Sequence, residues 1–158
     1  MTLIHDIEKN CPVCGKSSPQ PVLTSTNTMG YPDLDLRPAE MQRSTMFVWL
    51  DECPHCGYVS PSFSDETDIT EDFLKSDEYI NCDGFEFKND LSKRFYKAYL
   101  IAKKTKNSEE CFFHLLHCAW KCDDAEDPLA AEMRRLALSY FDDLKYSDEK
   151  KKEVNDAA

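Results

Sequence analysis

Cys53-Pro54-His55-Cys56-Gly57 repeats the pattern of Cys11-Pro12-Val13-Cys14-Gly15, differing only at the middle position. Two Cys separated by two residues direct both sulfurs to one cation when the backbone between them turns tightly, and a following Gly permits the positive φ that such a turn favours. Gly15 and Gly57 are half of the four glycines in the chain, so glycine is concentrated where that turn requires it. Together the two knuckles supply four thiolates, from Cys11, Cys14, Cys53 and Cys56, the donor set of a closed tetrahedral zinc site. The pattern therefore predicts one structural Zn²⁺ as cofactor. With every coordination position taken by protein sulfur, none remains for a substrate or an activated water, and the metal's binding energy serves to fold a small module.

Two other chemistries use similar residues. Cys53-Pro54-His55-Cys56 is also the tetrapeptide of a strongly oxidising dithiol exchanger, whose first thiolate is activated at a helix N-terminus. Here Gly57 and Pro61 disfavour a helix after it, and a redox dithiol would not explain the matching Cys11 and Cys14. Iron in the same four-thiolate cage, as in rubredoxin, fits the ligand set as well as zinc does, so the metal stays open at this point. His55 lies between two ligands and reads as an exposed side chain, not a ligand. His5 has no partner that sequence identifies.

Working outward, the 158 residues carry 19 Lys plus Arg against 30 Asp plus Glu, a formal charge of −11. Such an excess repels a phosphate backbone and argues against general nucleic-acid binding. The longest apolar run, Met46-Phe47-Val48-Trp49-Leu50, is far short of the roughly 20 residues that span a bilayer. Met1-Thr2-Leu3-Ile4-His5-Asp6 has none of the marks of a secretory leader. A cytoplasmic location is expected, where eight Cys are free thiols or metal ligands sooner than disulfides. No two glycines lie closer than 15 positions, which rules out the clustered glycines of a phosphate-cradling loop. Neither a Ser-His-Asp order nor a metalloprotease helix motif occurs, and no carboxylate spacing marks an acid–base pair. The expectation is a protein without catalysis of its own.

Seven of the eight prolines precede residue 62, so the first part resists helix and the second permits it. Two strands are expected in the first part, around Val22 to Thr26 and at the β-branched and aromatic run Thr45 to Leu50, with a loop at Gly30 to Pro38 between them. Beyond, Asp68 with Glu71 opens a short helix through about Tyr79. Phe87, Leu91, Phe95, Ala98 and Ala102 mark a long amphipathic helix, with Ser92 off its apolar stripe. Asn107 caps the next, which carries Phe112, Leu115, Leu116, Ala119 and Trp120. Asp127-Pro128 starts a third, with Leu129, Met133, Leu136, Ala137, Tyr140 and Leu144 on one face. The fold class is α+β: a small N-terminal zinc ribbon of two to three short antiparallel strands over 1–64, an antiparallel helical hairpin array over 65–146, and a charged flexible tail over 147–158. The hairpins are similar to tetratricopeptide units in geometry alone, because Trp120-Lys121-Cys122 departs from that repeat's pattern.

Two further groupings invite a functional reading. Cys111, His114, Cys118 and Cys122 share one helix face, yet at 1.5 Å rise per residue the outer two lie about 16 Å apart, so one ion cannot collect all four. A second metal site would need a pair of them plus Cys82; packing as small apolar residues at helix contacts is the simpler account. Asp33, Asp35 and Arg37 form a possible recognition loop beside the metal, with the planar fork of Arg37 suited to a carboxylate or phosphate.

The stretch from Asp33-Leu34-Asp35-Leu36-Arg37-Pro38-Ala39-Glu40-Met41-Gln42-Arg43-Ser44-Thr45-Met46 through Glu52-Cys53-Pro54-His55-Cys56-Gly57-Tyr58-Val59 resembles a group of functionally unassigned bacterial proteins with an N-terminal paired-knuckle zinc module and a helical C-terminal part. The likeness is specific over residues 11–60 and architectural beyond. It implies a zinc ribbon joined to helices and carries no activity with it. Leu36 departs from the small or polar residue found there in similar sequences. The reading as a whole is a non-catalytic zinc protein whose helical surface binds a protein partner, with a rubredoxin-like iron protein or a nucleic-acid-binding ribbon as alternatives.

Overall fold

A computed structural model describes residues 1–144, and the charged segment from 147 lies outside the described residues. The architecture is α+β: short antiparallel strands early in the chain, then an array of helices. The chain divides into two compact units, the first Met1–Ile80 and the second beginning at Asn81.

The first unit is built on two hairpins. Strands β1 (Leu3–Asn10) and β2 (Ser17–Ser25) pair antiparallel, with Asn10 opposite Ser17 and a bulge between Leu3 and Ile4. Strands β3 (Asp51–Glu52) and β4 (Val59–Ser60) form a shorter antiparallel pair. Each hairpin is closed by one Cys-x-x-Cys-Gly turn, so both knuckles are hairpin loops. Of the strands expected from sequence, the one around Val22 to Thr26 is found as the end of β2, which starts earlier, at Ser17. The strand expected at Thr45 to Leu50 is not there. Helix α1 (Glu40–Arg43) runs into a 3₁₀ turn at Met46–Val48, in which Thr45 Oγ1 donates to Gln42 O at 2.7 Å and receives Trp49 Nε1–H at 2.9 Å. Met46 and Leu50 are buried while Phe47 is half-exposed, a spacing of four that suits a helical turn and not the alternation of a strand.

Between β2 and α1 the loop turns at Leu36, whose φ of 68° lies in the left-handed region. A branched side chain is unfavourable there. After β4, helix α2 (Glu71–Leu74) is capped by Thr70, which accepts from Phe73 N, and not by Asp68. The single helix expected through Tyr79 is divided into α2 and α3 (Asp77–Ile80). Tyr79, buried, donates its hydroxyl to Gly57 O at 2.6 Å and so fastens α3 to the second knuckle.

The second unit is three helices packed in sequence: α4 (Asp90–Lys104) against α5 (Ser108–Asp124), and α5 against α6 (Leu129–Leu138). Asn89 caps α4 by accepting from Ser92 N, and Asn107 caps α5 by accepting from Glu110 N. Asp127 is buried, and its carboxylate takes Leu129 N at the start of α6 and Lys88 N before α4. Phe95, Ala98 and Ala102 of α4 and Leu115, Ala119 and Trp120 of α5 are all buried, as the apolar stripes require. Two details differ from the periodicity. Ser92 is fully buried, and its carbonyl receives the Cys118 thiol at 3.3 Å. The third helix ends at Leu138, and the chain turns at Ser139 and Tyr140 before a further helical stretch at 141–144.

Candidate metal centre

The two knuckles have the same backbone. In the first, Gly15 N donates to Cys11 O and Cys11 N to Lys16 O, both at 2.9 Å; in the second, Gly57 N donates to Cys53 O and Cys53 N to Tyr58 O, again at 2.9 Å. Gly15 and Gly57 sit at φ of 73° and 77°. A Cβ at either would meet nothing within 4 Å, so glycine is required by the dihedral and not by space.

These matched turns carry four sulfurs to one point. Cys11 Sγ lies 3.6 Å from Cys56 Sγ, Cys14 Sγ lies 3.6 Å from Cys53 Sγ, and all four sulfurs fall within 4.8 Å of one another. A tetrahedron with metal–sulfur arms of about 2.3 Å has edges of about 3.8 Å, so the quartet has the size that a tetrahedral thiolate metal needs. Cys11 and Cys53 are buried, Cys14 and Cys56 partly so. Burial pushes the Cys11 and Cys56 thiols above their ordinary range, whereas the backbone N–H of Lys16 draws Cys14 below it. Four thiolates at this spacing would repel one another, and a metal cation among them would relieve that repulsion.

The hairpins are held together beneath the sulfurs. Gln20, buried on β2, donates through Nε2 to Glu52 O at 2.9 Å and accepts from Glu52 N through Oε1 at 3.0 Å. Asp51, also buried, receives Lys9 Nζ of β1 at 2.8 Å and Phe63 N at 2.9 Å. Neither contact was visible in the sequence. A lone Gln and a Lys–Asp pair 42 positions apart carry no periodic signal.

The remaining expected residues fall elsewhere. His55 is exposed, with Nε2 3.4 Å from Ser17 O. Cys82, Cys111, His114, Cys118 and Cys122 are buried in the helical unit, and the knuckle quartet is the group among the described residues that could hold a metal ion. Arg37, of the possible recognition loop, is buried, at 9% exposure. The loop folds over itself there, with Asp33 N donating to Arg37 O and Leu36 N to Asp33 O, while the Asp33 carboxylate takes Arg43 Nη2 at 2.8 Å. Asp35 is partly exposed. No helix among the described residues is long and apolar enough to cross a membrane. Comparison of the chain with protein families, curated proteins and solved structures finds no match.

Proposed function

We propose that this is a cytoplasmic, non-catalytic zinc protein: one structural Zn²⁺ held by Cys11, Cys14, Cys53 and Cys56 pins two hairpins, and the helical unit offers a surface to a protein partner. The observation that carries the reading is the convergence of four sulfurs within 4.8 Å from two knuckles of identical backbone. A full set of thiolates leaves the metal no open position, which is the mark of a structural site. For the partner surface, support comes from the exposed apolar side chains Phe113, Leu138 and Phe141, where Phe112 stacks edgewise on Phe113 at 5.2 Å and lies 6.2 Å from Phe141. The excess of 30 acidic over 19 basic residues favours a protein over a nucleic acid as that partner.

The test is metal analysis of the purified protein beside its Cys53→Ser variant. One equivalent of zinc and a colourless solution are expected for the parent, with metal lost and the first unit unfolded in the variant while helical dichroism persists. Visible absorbance would make the cage an iron site, and unchanged metal in the variant would overturn the ligand assignment.

A further inference from the structure

The hairpin β1–β2 has two outer edges, and they are not alike. Pro19 and Pro21 of β2 stand opposite Glu8 and Asp6, and a proline has no N–H to give to a ladder. The β1–β2 hydrogen bonds therefore run through the alternate pairs, His5 with Val22, Ile7 with Gln20 and Lys9 with Ser18. The missing donors of Pro19 and Pro21 face the outer side of β2, which blocks that edge against further pairing. On β1 the same register turns the main-chain groups of Ile4, Asp6 and Glu8 outward. Among the described residues no strand pairs with that side, and β1, an eight-residue strand, contains neither Pro nor Gly.

Residues two apart on a strand share a face, so Ile4, Asp6 and Glu8 line one side of this edge. Asp6 and Glu8 are exposed, and Ser17 Oγ donates to Glu8 Oε2 at 2.7 Å, which fixes that carboxylate on its strand. The opposite face, through Gln20 and Lys9, is occupied by Glu52 and Asp51. A second copy of the chain is a poor occupant. In the antiparallel registers that pair most of the strand, Asp6 of one copy faces Asp6 or Glu8 of the other, and like charges directly opposite are destabilising.

We propose that the free edge of β1 binds an extended peptide segment by strand addition, and that the segment carries Lys or Arg at alternate positions, facing Asp6 and Glu8. Main-chain bonds to Ile4, Asp6 and Glu8 give the affinity, and the two carboxylates give the preference for basic side chains. This surface is distinct from the aromatic patch of the helices.

The metal-loaded full chain, at about 150 mM salt to suppress non-specific attraction, is titrated with a fluorescein-labelled peptide of alternating Lys and Val. Three comparison peptides replace Lys by Glu, scramble the order, or carry N-methyl groups on the pairing residues. Saturable binding of the first alone is expected, and by amide exchange the N–H groups of Ile4, Asp6 and Glu8 slow by about tenfold or more in its presence. Asp6→Pro removes one outward donor while sparing the β1–β2 ladder, and should abolish binding with metal content unchanged. Asp6→Lys with Glu8→Lys should transfer the preference to the Glu peptide. Equal binding of the N-methylated or scrambled peptide would show charge attraction without strand addition and overturn the proposal, as would no binding to the loaded chain. Protection of the same three amides in concentrated chain alone would assign the edge to a second copy and overturn it as well. Because metal content is measured in every arm, a failure of strand addition is distinguishable from a failure of the zinc assignment.

Discussion

The side chain of Gln20 pairs with the backbone of Glu52 as a neighbouring strand would, giving one hydrogen bond and taking one. Glu52 immediately precedes Cys53, so this amide sets the position of the second knuckle against the hairpin that carries the first. Gln20→Ala would leave a carbonyl and an N–H at that junction without partners, at a cost of about 2 kcal/mol. Denaturant unfolding of the first unit should show that loss. The dissociation of metal to a chelator should quicken in step, while Gln20→Glu, which accepts but cannot donate, should fall between.

Lys9 and Asp51 join the same two hairpins, with their side chains 22% and 4% exposed. The asymmetry decides which partner matters more. Removing Lys9 as Lys9→Met strands a buried carboxylate, for a cost of about 3 kcal/mol. Adding Asp51→Asn should recover a good part of it, since the amide is neutral and its oxygen still accepts from Phe63 N. A double-mutant cycle on thermal stability measures this, and strictly additive losses would show that the pair is not coupled.

Gly57 occupies a left-handed turn with open space where a Cβ would stand. The cost of Gly57→Ala is thus conformational alone, about 1 kcal/mol, without a steric component. Gly57→Asn should cost less, because Asn tolerates that region best among residues with a side chain. Competition for zinc against a chelator, run on the three proteins, should rank them Gly, Asn, Ala.

How much of this was legible follows from where each signal resides. The knuckles were readable because a metal turn is local: five residues carry ligands, spacing and the positive-φ glycine together. The helices were readable from their apolar period, down to the cap at Asn107. Strand β1 was not, since Leu3-Ile4-His5-Asp6-Ile7-Glu8-Lys9-Asn10 mixes apolar and charged residues without alternation and is exposed along most of its length. Its structure comes from pairing with β2 and from the turn at Cys11. Thr45 to Leu50 misled through composition, because aromatic and β-branched residues fit a 3₁₀ turn when Thr45 Oγ1 can hold both Gln42 O and Trp49 Nε1. The burial of Arg37 was not legible for a different reason. A charged residue in a loop is ordinarily exposed, and only the fold of that loop buries it.

His114 makes the helical unit sensitive to acid. It is buried on α5, its Nδ1 has no hydrogen-bond partner among the described residues, and burial lowers its pKa to about 4. His117, one turn on with its ring 6.5 Å away, is lowered to about 3 by burial and by His114. Both therefore stay neutral in the folded unit while the unfolded chain takes up protons below about pH 6.5. A folded pKa below the unfolded one means that stability is full above pH 6.5 and declines as the pH falls towards 4. For His114 alone the displacement corresponds to about 3 kcal/mol. In a Trp49→Phe background, where Trp120 reports on the helical unit, the unfolding free energy should fall across that window. His114→Leu should flatten the decline by close to one proton, and an unchanged slope would place the acid sensitivity elsewhere.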